Sequence, residues 1–126
     1  ACALRPGVEG FSENIRVRSV IGRFLEPRRI WYFANDGGEG VWLSSADWMG
    51  RNLFRRIEVA FPVLDPVLKA RVIGEGLKPY LADNRDAWEL AGDGTYAQPK
   101  VTRRSRPRAA QQELVDRLTE HPDADA

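Results

Sequence analysis

The chain has 126 residues, 43% hydrophobic and 29% charged, with a formal net charge of +1. That composition excludes a wholly disordered chain, which needs low hydrophobicity and high net charge, and no run of about 18 apolar residues exists to cross a membrane as a helix. A single cysteine, Cys2, excludes a disulfide framework or a cysteine-cluster metal site, and a single histidine, His121 in the polar tail, argues against a two-histidine metal site.

Of the 19 basic residues, 16 are arginine and 3 lysine. Arginine's planar fork binds phosphate and carboxylate through two parallel hydrogen bonds. The chain opens Ala1-Cys2-Ala3-Leu4, without an initiator methionine or the basic and apolar regions of a signal peptide. An opening inside a small apolar segment reads as a cut through a larger protein.

Residues 5–10 form a loop punctuated by Pro6, Gly7 and Gly10. Ser12 suits an N-cap, with Glu13 in the first turn. Val17, Val20, Ile21, Phe24 and Leu25 then recur at helical spacing, which predicts an amphipathic helix over residues 13–25, ended by Pro27. Residues 29–33 (Arg-Ile-Trp-Tyr-Phe) predict a strand, residues 35–40 a turn, and residues 41–45 the returning strand of a hairpin. Residues 46–52 read as a short loop or helical turn, and residues 56–63 as a half-buried strand closed by Pro62.

Asp65-Pro66 is a helix start, with an acidic N-cap and proline at the first position. Leu68, Val72, Ile73, Leu77, Tyr80 and Leu81 carry the helical face through about residue 82, against the helix-weakening Gly74 and Gly76. Residues 87–97 suggest a small hairpin. Residues 100–108 are basic, residues 109–119 suit a short surface helix, and residues 122–126 are an acidic end. Trp31, Trp42, Trp48 and Trp88 read as core or interface residues. The alternation of helical and strand segments indicates a mixed α/β or α+β fold.

Three polar clusters could carry chemistry. Leu43-Ser44-Ser45-Ala46-Asp47-Trp48-Met49-Gly50-Arg51-Asn52 is followed by Arg55, Arg56 and Glu58. Small hydroxyl residues at a strand end leave backbone N–H groups open to an anion. The segment therefore reads either as a phosphate-binding loop or as a strand-to-helix turn capped by Ser45 or Asp47, with solvated arginines. Arg16, Arg18 and Arg23 form a second cluster; on a helix, Arg16 and Arg23 share a face, which could equally be a solvated polar face. Glu26-Pro27-Arg28-Arg29 is the third, or else a capped turn.

Read in order, Leu4-Arg5-Pro6-Gly7, Ser12-Glu13-Asn14-Ile15-Arg16-Val17-Arg18-Ser19, Gly22-Arg23-Phe24-Leu25-Glu26 and Leu43-Ser44-Ser45-Ala46-Asp47-Trp48-Met49 resemble the carboxy-terminal domain of the bacterial polyphosphate kinases, the large class that works through a phosphorylated histidine. The resemblance runs from residue 2 to about residue 90. It implies that residues 1–98 are most of a phospholipase D-like domain, a mixed sheet flanked by helices whose amino-terminal part is missing. Residues 99–126 would be a basic linker with a short surface helix or a disordered tail.

The implied activity is reversible transfer of the terminal phosphate of ATP onto polyphosphate, with magnesium, in the cytoplasm or peripherally at the inner membrane. The phosphorylated histidine would lie in a preceding domain, so the chain alone is expected to be inactive and to hold no cofactor or metal of its own. Implied partners are polyphosphate, ATP, upstream domains of the same protein and further copies of it, with no nucleic acid and no transmembrane segment.

The family's assisting histidine falls at Pro27, which has neither a titratable nitrogen nor a donor. Where a phospholipase D motif would place its lysine, this chain has Arg29, and an aspartate frequent in the family is Phe54 here. Arg56 matches an arginine that contacts nucleotide phosphates, and Ser45 and Asp47 match the family's signature loop. The resemblance thus implies a phosphate-binding set of Arg56, Arg29, Arg16, Arg23, Arg51 and Ser45, with no catalytic residue in this chain. The alternative, motivated by Pro27, is a non-catalytic anion-binding or assembly module diverged from the enzyme.

Overall fold

The computed structural model describes residues 3–102 and 105–120. Cys2, His121 and the acidic end at 122–126 lie outside the described residues, as do Arg103 and Arg104 of the basic run. In chain order the elements are β1 (Val17–Val20), β2 (Ile30–Phe33), β3 (Gly40–Ser44), α1 (Gly50–Arg55), β4 (Ala60–Pro62), α2 (Pro66–Arg71), a π-helical turn (Val72–Leu77), α3 (Lys78–Ala82), β5 (Ala87–Leu90), β6 (Tyr96–Ala97) and α4 (Ala110–Glu120). The fold is mixed α+β. The strands divide between two three-stranded antiparallel sheets, β1-β5-β6 and β2-β3-β4, where a single mixed sheet was expected. The chain forms two compact units, Ala1–Leu25 with Pro79–Ala126, and Glu26–Lys78.

The first unit corrects one expectation outright: residues 13–25 are not a helix. Val17–Val20 is a strand paired with β5, in the register Val17↔Leu90, Arg18↔Glu89, Ser19↔Trp88 and Val20↔Ala87. Apolar spacing at i, i+3 and i+4 is present, but two of the four strand residues are β-branched valines that lose rotamer freedom in a helix and fit a pleated surface. The cross-strand Arg18–Glu89 ion pair, 2.8 Å, adds a partner invisible from local spacing. The same guanidinium donates to the carbonyls of Leu81 (2.6 Å) and Asp83 (3.0 Å), satisfying backbone acceptors at and beyond the end of α3. Ser12 does not cap a helix. Its buried hydroxyl accepts from Val8 N–H at 3.0 Å and donates to the Arg5 carbonyl at 2.6 Å, pinning the preceding loop. Phe24 and Leu25, expected on a buried face, are 50% and 96% exposed.

Asp83 is the densest polar junction of this unit. Its side chain is 1% exposed. Oδ1 accepts from the backbone N–H groups of Arg85, Asp86 and Ala87 at 3.0, 2.7 and 3.0 Å, and Oδ2 accepts from Ala110 N–H at 2.7 Å. The carboxylate therefore shapes the turn into β5 and satisfies an N-terminal donor of α4. Asn84 reinforces the joint by accepting from Arg108 N–H at 2.7 Å. The helix expected over residues 109–119 is present, but its inner face packs, with Ala110 and Leu114 buried.

In the second unit the hairpin expected from residues 29–45 forms in the register Ile30↔Leu43, Trp31↔Trp42 and Tyr32↔Val41. The turn between its strands holds Asn35 and Asp36 at φ 47° and 49°, a left-handed conformation that these two residue types tolerate. β4 is shorter than the strand expected over residues 56–63, because α1 extends to Arg55 and the chain reaches the sheet only at Ala60. The helix start is as read from Asp65-Pro66: Asp65 Oδ1 accepts from Val67 and Leu68 N–H, both at 2.9 Å. At Gly74 and Gly76 the helix widens into the π turn, where Lys78 N–H reaches back to the Ile73 carbonyl. A Cβ on Gly76 would collide with the Ile30 side chain, so glycine there lets β2 approach the helix backbone. Ile30, Leu43 and Phe61, paired across the sheet on one face, line a cavity of about 580 Å³ together with Leu68 and Val72.

Replacing Asp83 with alanine leaves buried N–H donors without partners, at roughly 1–3 kcal/mol each. Asp83→Ala is expected to lower the unfolding free energy by at least about 3 kcal/mol in urea titration followed by circular dichroism. Asp83→Asn should fall between it and the parent, since its carbonyl oxygen still serves residues 85–87 but its amide faces Ala110 N–H.

Candidate functional site: an arginine and carboxylate cluster at the end of β3

The loop leaving β3 is locally determined. Ser44 Oγ accepts from Ala46 N–H at 3.0 Å, and Ala46 is buried. Met49 N–H then bonds the Asp47 carbonyl at 2.8 Å, leading into α1. On the other side Ser45 N–H donates to the Val59 carbonyl at 2.9 Å, and Ser45 Oγ accepts from Val59 N–H at 3.0 Å. This doubled bond fixes residues 45 and 59 as neighbours and brings the segment after α1 alongside the loop.

Side chains gather on that frame. Arg29, at the start of β2, donates from Nε to Asp47 Oδ1 at 2.6 Å. Ser45 Oγ makes a short hydrogen bond to Glu58 Oε2, and Asn52 Nδ2 donates to Glu58 Oε1 at 2.8 Å. Asn52 is buried on α1, and its Oδ1 has no hydrogen-bond partner among the described residues. The hydrogen bond from Arg29 holds the Asp47 carboxyl below its ordinary range, with the charges of Arg29, Arg51 and Arg56 acting in the same direction against desolvation. Hydrogen bonds from Ser45 and then Asn52 hold Glu58 low in the same way, helped by the charges of Arg56 and Arg29. Arg29 is correspondingly pushed up by Asp47.

Arg29, Ser45, Arg51 and Arg56 thus share one electrostatic neighbourhood in the second unit. The loop is a strand-to-helix turn, but neither Ser45 nor Asp47 caps α1, whose N-cap is Met49 without a side-chain hydrogen bond; it also gathers three guanidinium groups. Asp47, read from the sequence as a cap, and Glu58, given no individual role there, fix the cluster's geometry. Their signal in the sequence was their spacing from Arg29 and Ser45 across paired strands, which is visible only once the register is known.

Arg16 and Arg23 are exposed and belong to the first unit. Arg16 borders a cavity of about 660 Å³ with Pro6, Glu13, Arg18, Glu89 and Gly92. The Arg23 guanidinium lies 5.6 Å from the centroid of the Phe24 ring. Pro27 is exposed, between Glu26 and Arg28, which form an ion pair at 2.8 Å. Of the tryptophans, Trp48 is 78% exposed and stands edge-on to the half-buried Trp31, with centroids 5.8 Å apart. Among the described residues no three or more His, Cys, Asp or Glu side chains are grouped to hold a metal ion, and no helix is long and apolar enough to cross a membrane.

The family model described as Polyphosphate kinase C-terminal domain 2 matches residues 1–111. The chain belongs to the polyphosphate kinase family. It is similar to the polyphosphate kinase of Burkholderia multivorans, 64% identical over 95 residues, covering 75% of this chain and 14% of that protein. The polyphosphate kinase of Xylella fastidiosa is 50% identical over 118 residues, covering 94% of this chain and 17% of its own length. The crystal structure of polyphosphate kinase from Porphyromonas gingivalis superposes with a TM-score of 0.79 at 41% identity, over 86% of this chain and 16% of that one. The chain therefore spans about a seventh of the Burkholderia polyphosphate kinase. The family match runs past residue 98 and takes in the joint at Arg108 and Ala110.

Because Asp47 and Glu58 titrate lower in the folded chain than in the unfolded one, the unfolded chain binds more protons in acid and stability rises with pH there. The contribution is complete above the unfolded values, about 4 for both residue types, and is lost as pH falls through the folded values. Urea midpoints measured from pH 7 downward should fall below about pH 4, and the Asp47→Asn variant should show a shallower fall at the same ionic strength.

Proposed function

We propose that the chain is part of an ATP:polyphosphate phosphotransferase that moves the terminal phosphate of ATP onto polyphosphate reversibly, and that this portion supplies an arginine-lined wall for the phosphates. The observation that carries the reading is the gathering of Arg29, Arg51 and Arg56 around the Ser45–Asp47 loop in a member of this family. Phosphoryl transfer depends on positioning and on stabilising charge spread over phosphoryl oxygens. Guanidinium forks meet both needs. Asp47 takes one Arg29 donor and fixes the side chain's direction, while Glu58 ties Ser45 and Asn52 to the same frame. Arg16 and Arg23 are the phosphate ligands proposed in the first unit.

ATP supplies the transferred group and magnesium neutralises charge when bound. Asp47 and Glu58 are each committed to neighbouring donors, so the cluster suits phosphoryl oxygens better than the oxygen cage that magnesium takes. Under this reading the phosphorylated histidine and the remaining wall come from upstream domains, in a cytoplasmic homo-oligomer. Residues 1–98 are the phospholipase D-like portion, and the basic stretch after them links it to α4. A second reading, a non-catalytic anion-binding or assembly module, is favoured by Pro27, whose ring can neither donate nor titrate. Polyphosphate synthesis at rates typical of the family by the full-length protein with Pro27 intact would overturn that second reading, and a gain of transfer only in Pro27→His would support it.

The 126-residue chain is expected to bind inorganic polyphosphate with strongly salt-dependent affinity and to make none from ATP. Arg56→Ala should weaken binding severalfold and reduce the slope of log K against log salt by about 0.7. An unchanged slope removes Arg56 from the wall, and labelled polymer formed by the chain alone refutes the division of labour.

A further inference from the structure

The ladder between β1 and β5 ends with Ile21 N–H bonded to the Asp86 carbonyl at 3.0 Å. Beyond it, the side chain of Gln111 takes over the part of a neighbouring strand. Its Oε1 accepts from Phe24 N–H at 2.9 Å, and its Nε2 donates to the Phe24 carbonyl at 2.7 Å. A carboxamide carries one donor and one acceptor in the arrangement of a peptide group, so the pair reproduces a hydrogen-bonded strand pairing with a single residue. Gly22 makes room for it, since a Cβ there would collide with the Gln111 carboxamide. The peptide groups on both sides of Phe24 are therefore held by one side chain of α4, which also abuts Gly22. Gln111 is itself fixed, because the preceding Ala110 N–H is bonded to the buried Asp83 carboxylate.

Arg23 lies between the two residues that Gln111 touches, and its guanidinium rests near the ring of Phe24, whose backbone Gln111 holds. We propose that Gln111 is a positioning residue: by pairing with Phe24 it presents the Arg23 guanidinium to anionic phosphate chains. The proposal rests on the reading of Arg23 as a phosphate ligand and extends it to a residue that touches no ligand. A held segment surrenders less conformational freedom on binding, which for one long side chain amounts to roughly twofold to tenfold in affinity.

The test is a double-mutant cycle on the full chain, with inorganic polyphosphate of narrow length distribution as the probe and calorimetry as the readout. Arg23→Ala should weaken binding. Gln111→Met, of similar length and without the amide, should weaken it about threefold to tenfold, and in the Arg23→Ala background it should cause no further loss. Additive losses would mean that Gln111 acts through general stability, and no loss in Gln111→Met with a loss in Arg23→Ala overturns the positioning role alone. An Arg23→Ala chain that binds like the parent overturns the phosphate role of Arg23 and the proposal with it. Amide hydrogen exchange supplies the independent check: in Gln111→Met, Phe24 should exchange faster while Ala87 keeps the protection of the parent chain. Should Gln111→Met fail to fold, Gln111→Glu, which keeps the acceptor for Phe24 N–H and loses the donor, should show an intermediate effect. Unaltered Phe24 exchange in Gln111→Met overturns the pairing, as does parent-like polyphosphate affinity in Gln111→Glu.

Discussion

The buried carboxylate of Asp83 organises the first unit. Four backbone donors converge on it, three from the turn that starts β5 and one from the first residue of α4. A buried carboxylate is tolerated when hydrogen bonds saturate its lone pairs, and the Ala110 donor also carries the partial positive charge of the α4 N-terminus. Once the carboxylate is in place, β5 enters at a defined position opposite β1, and α4 starts at a defined residue. The first makes Arg18 meet Glu89, and the second delivers Gln111 to Phe24. An acidic residue outside the arginine clusters thus governs where two arginines of the opening segment stand.

The second unit solves a different problem. Three arginines that would repel one another are brought together around a short loop, and two carboxylates make this possible. Asp47 is engaged by Arg29, and Glu58 is engaged by a hydroxyl and an amide, so its charge acts on Arg56 and Arg29 through space. The cluster is therefore a mixed-charge frame in which the carboxylates orient the guanidinium groups as well as balancing them. Under the proposed function, that arrangement suits a polyanion, which must be held along its length and still released.

How much of this was legible in the sequence depended on whether the deciding interaction was local. The Asp65-Pro66 helix start, the hairpin from residues 29–45 and the small hairpin after residue 87 are specified by neighbours in the chain and appear as read. Residues 13–25 failed because their valines and arginines satisfy a helical spacing by chance, while the partner that makes Val17–Val20 a strand lies 70 residues away. The candidate site was half legible. The family resemblance picks out Ser45, Asp47 and Arg56, but the roles of Glu58 and Asn52 follow from the doubled bond between residues 45 and 59. Gln111 was illegible altogether, since its function is to imitate a backbone.

The division of the chain into units has a kinetic consequence. Glu26–Lys78 is contiguous, whereas the other unit is assembled from two stretches separated by that whole span. Joining Arg18 to Glu89 therefore closes a loop of some 70 residues, a closure costing about 4 kcal/mol in chain entropy before any contact compensates. Contacts within the contiguous unit close shorter loops at a smaller entropic cost, so the second unit is able to form earlier than the first, whose distant halves must meet. Until they do, the valines of β1 have no strand beside them, and the segment's helical spacing competes with the strand preference of its β-branched side chains.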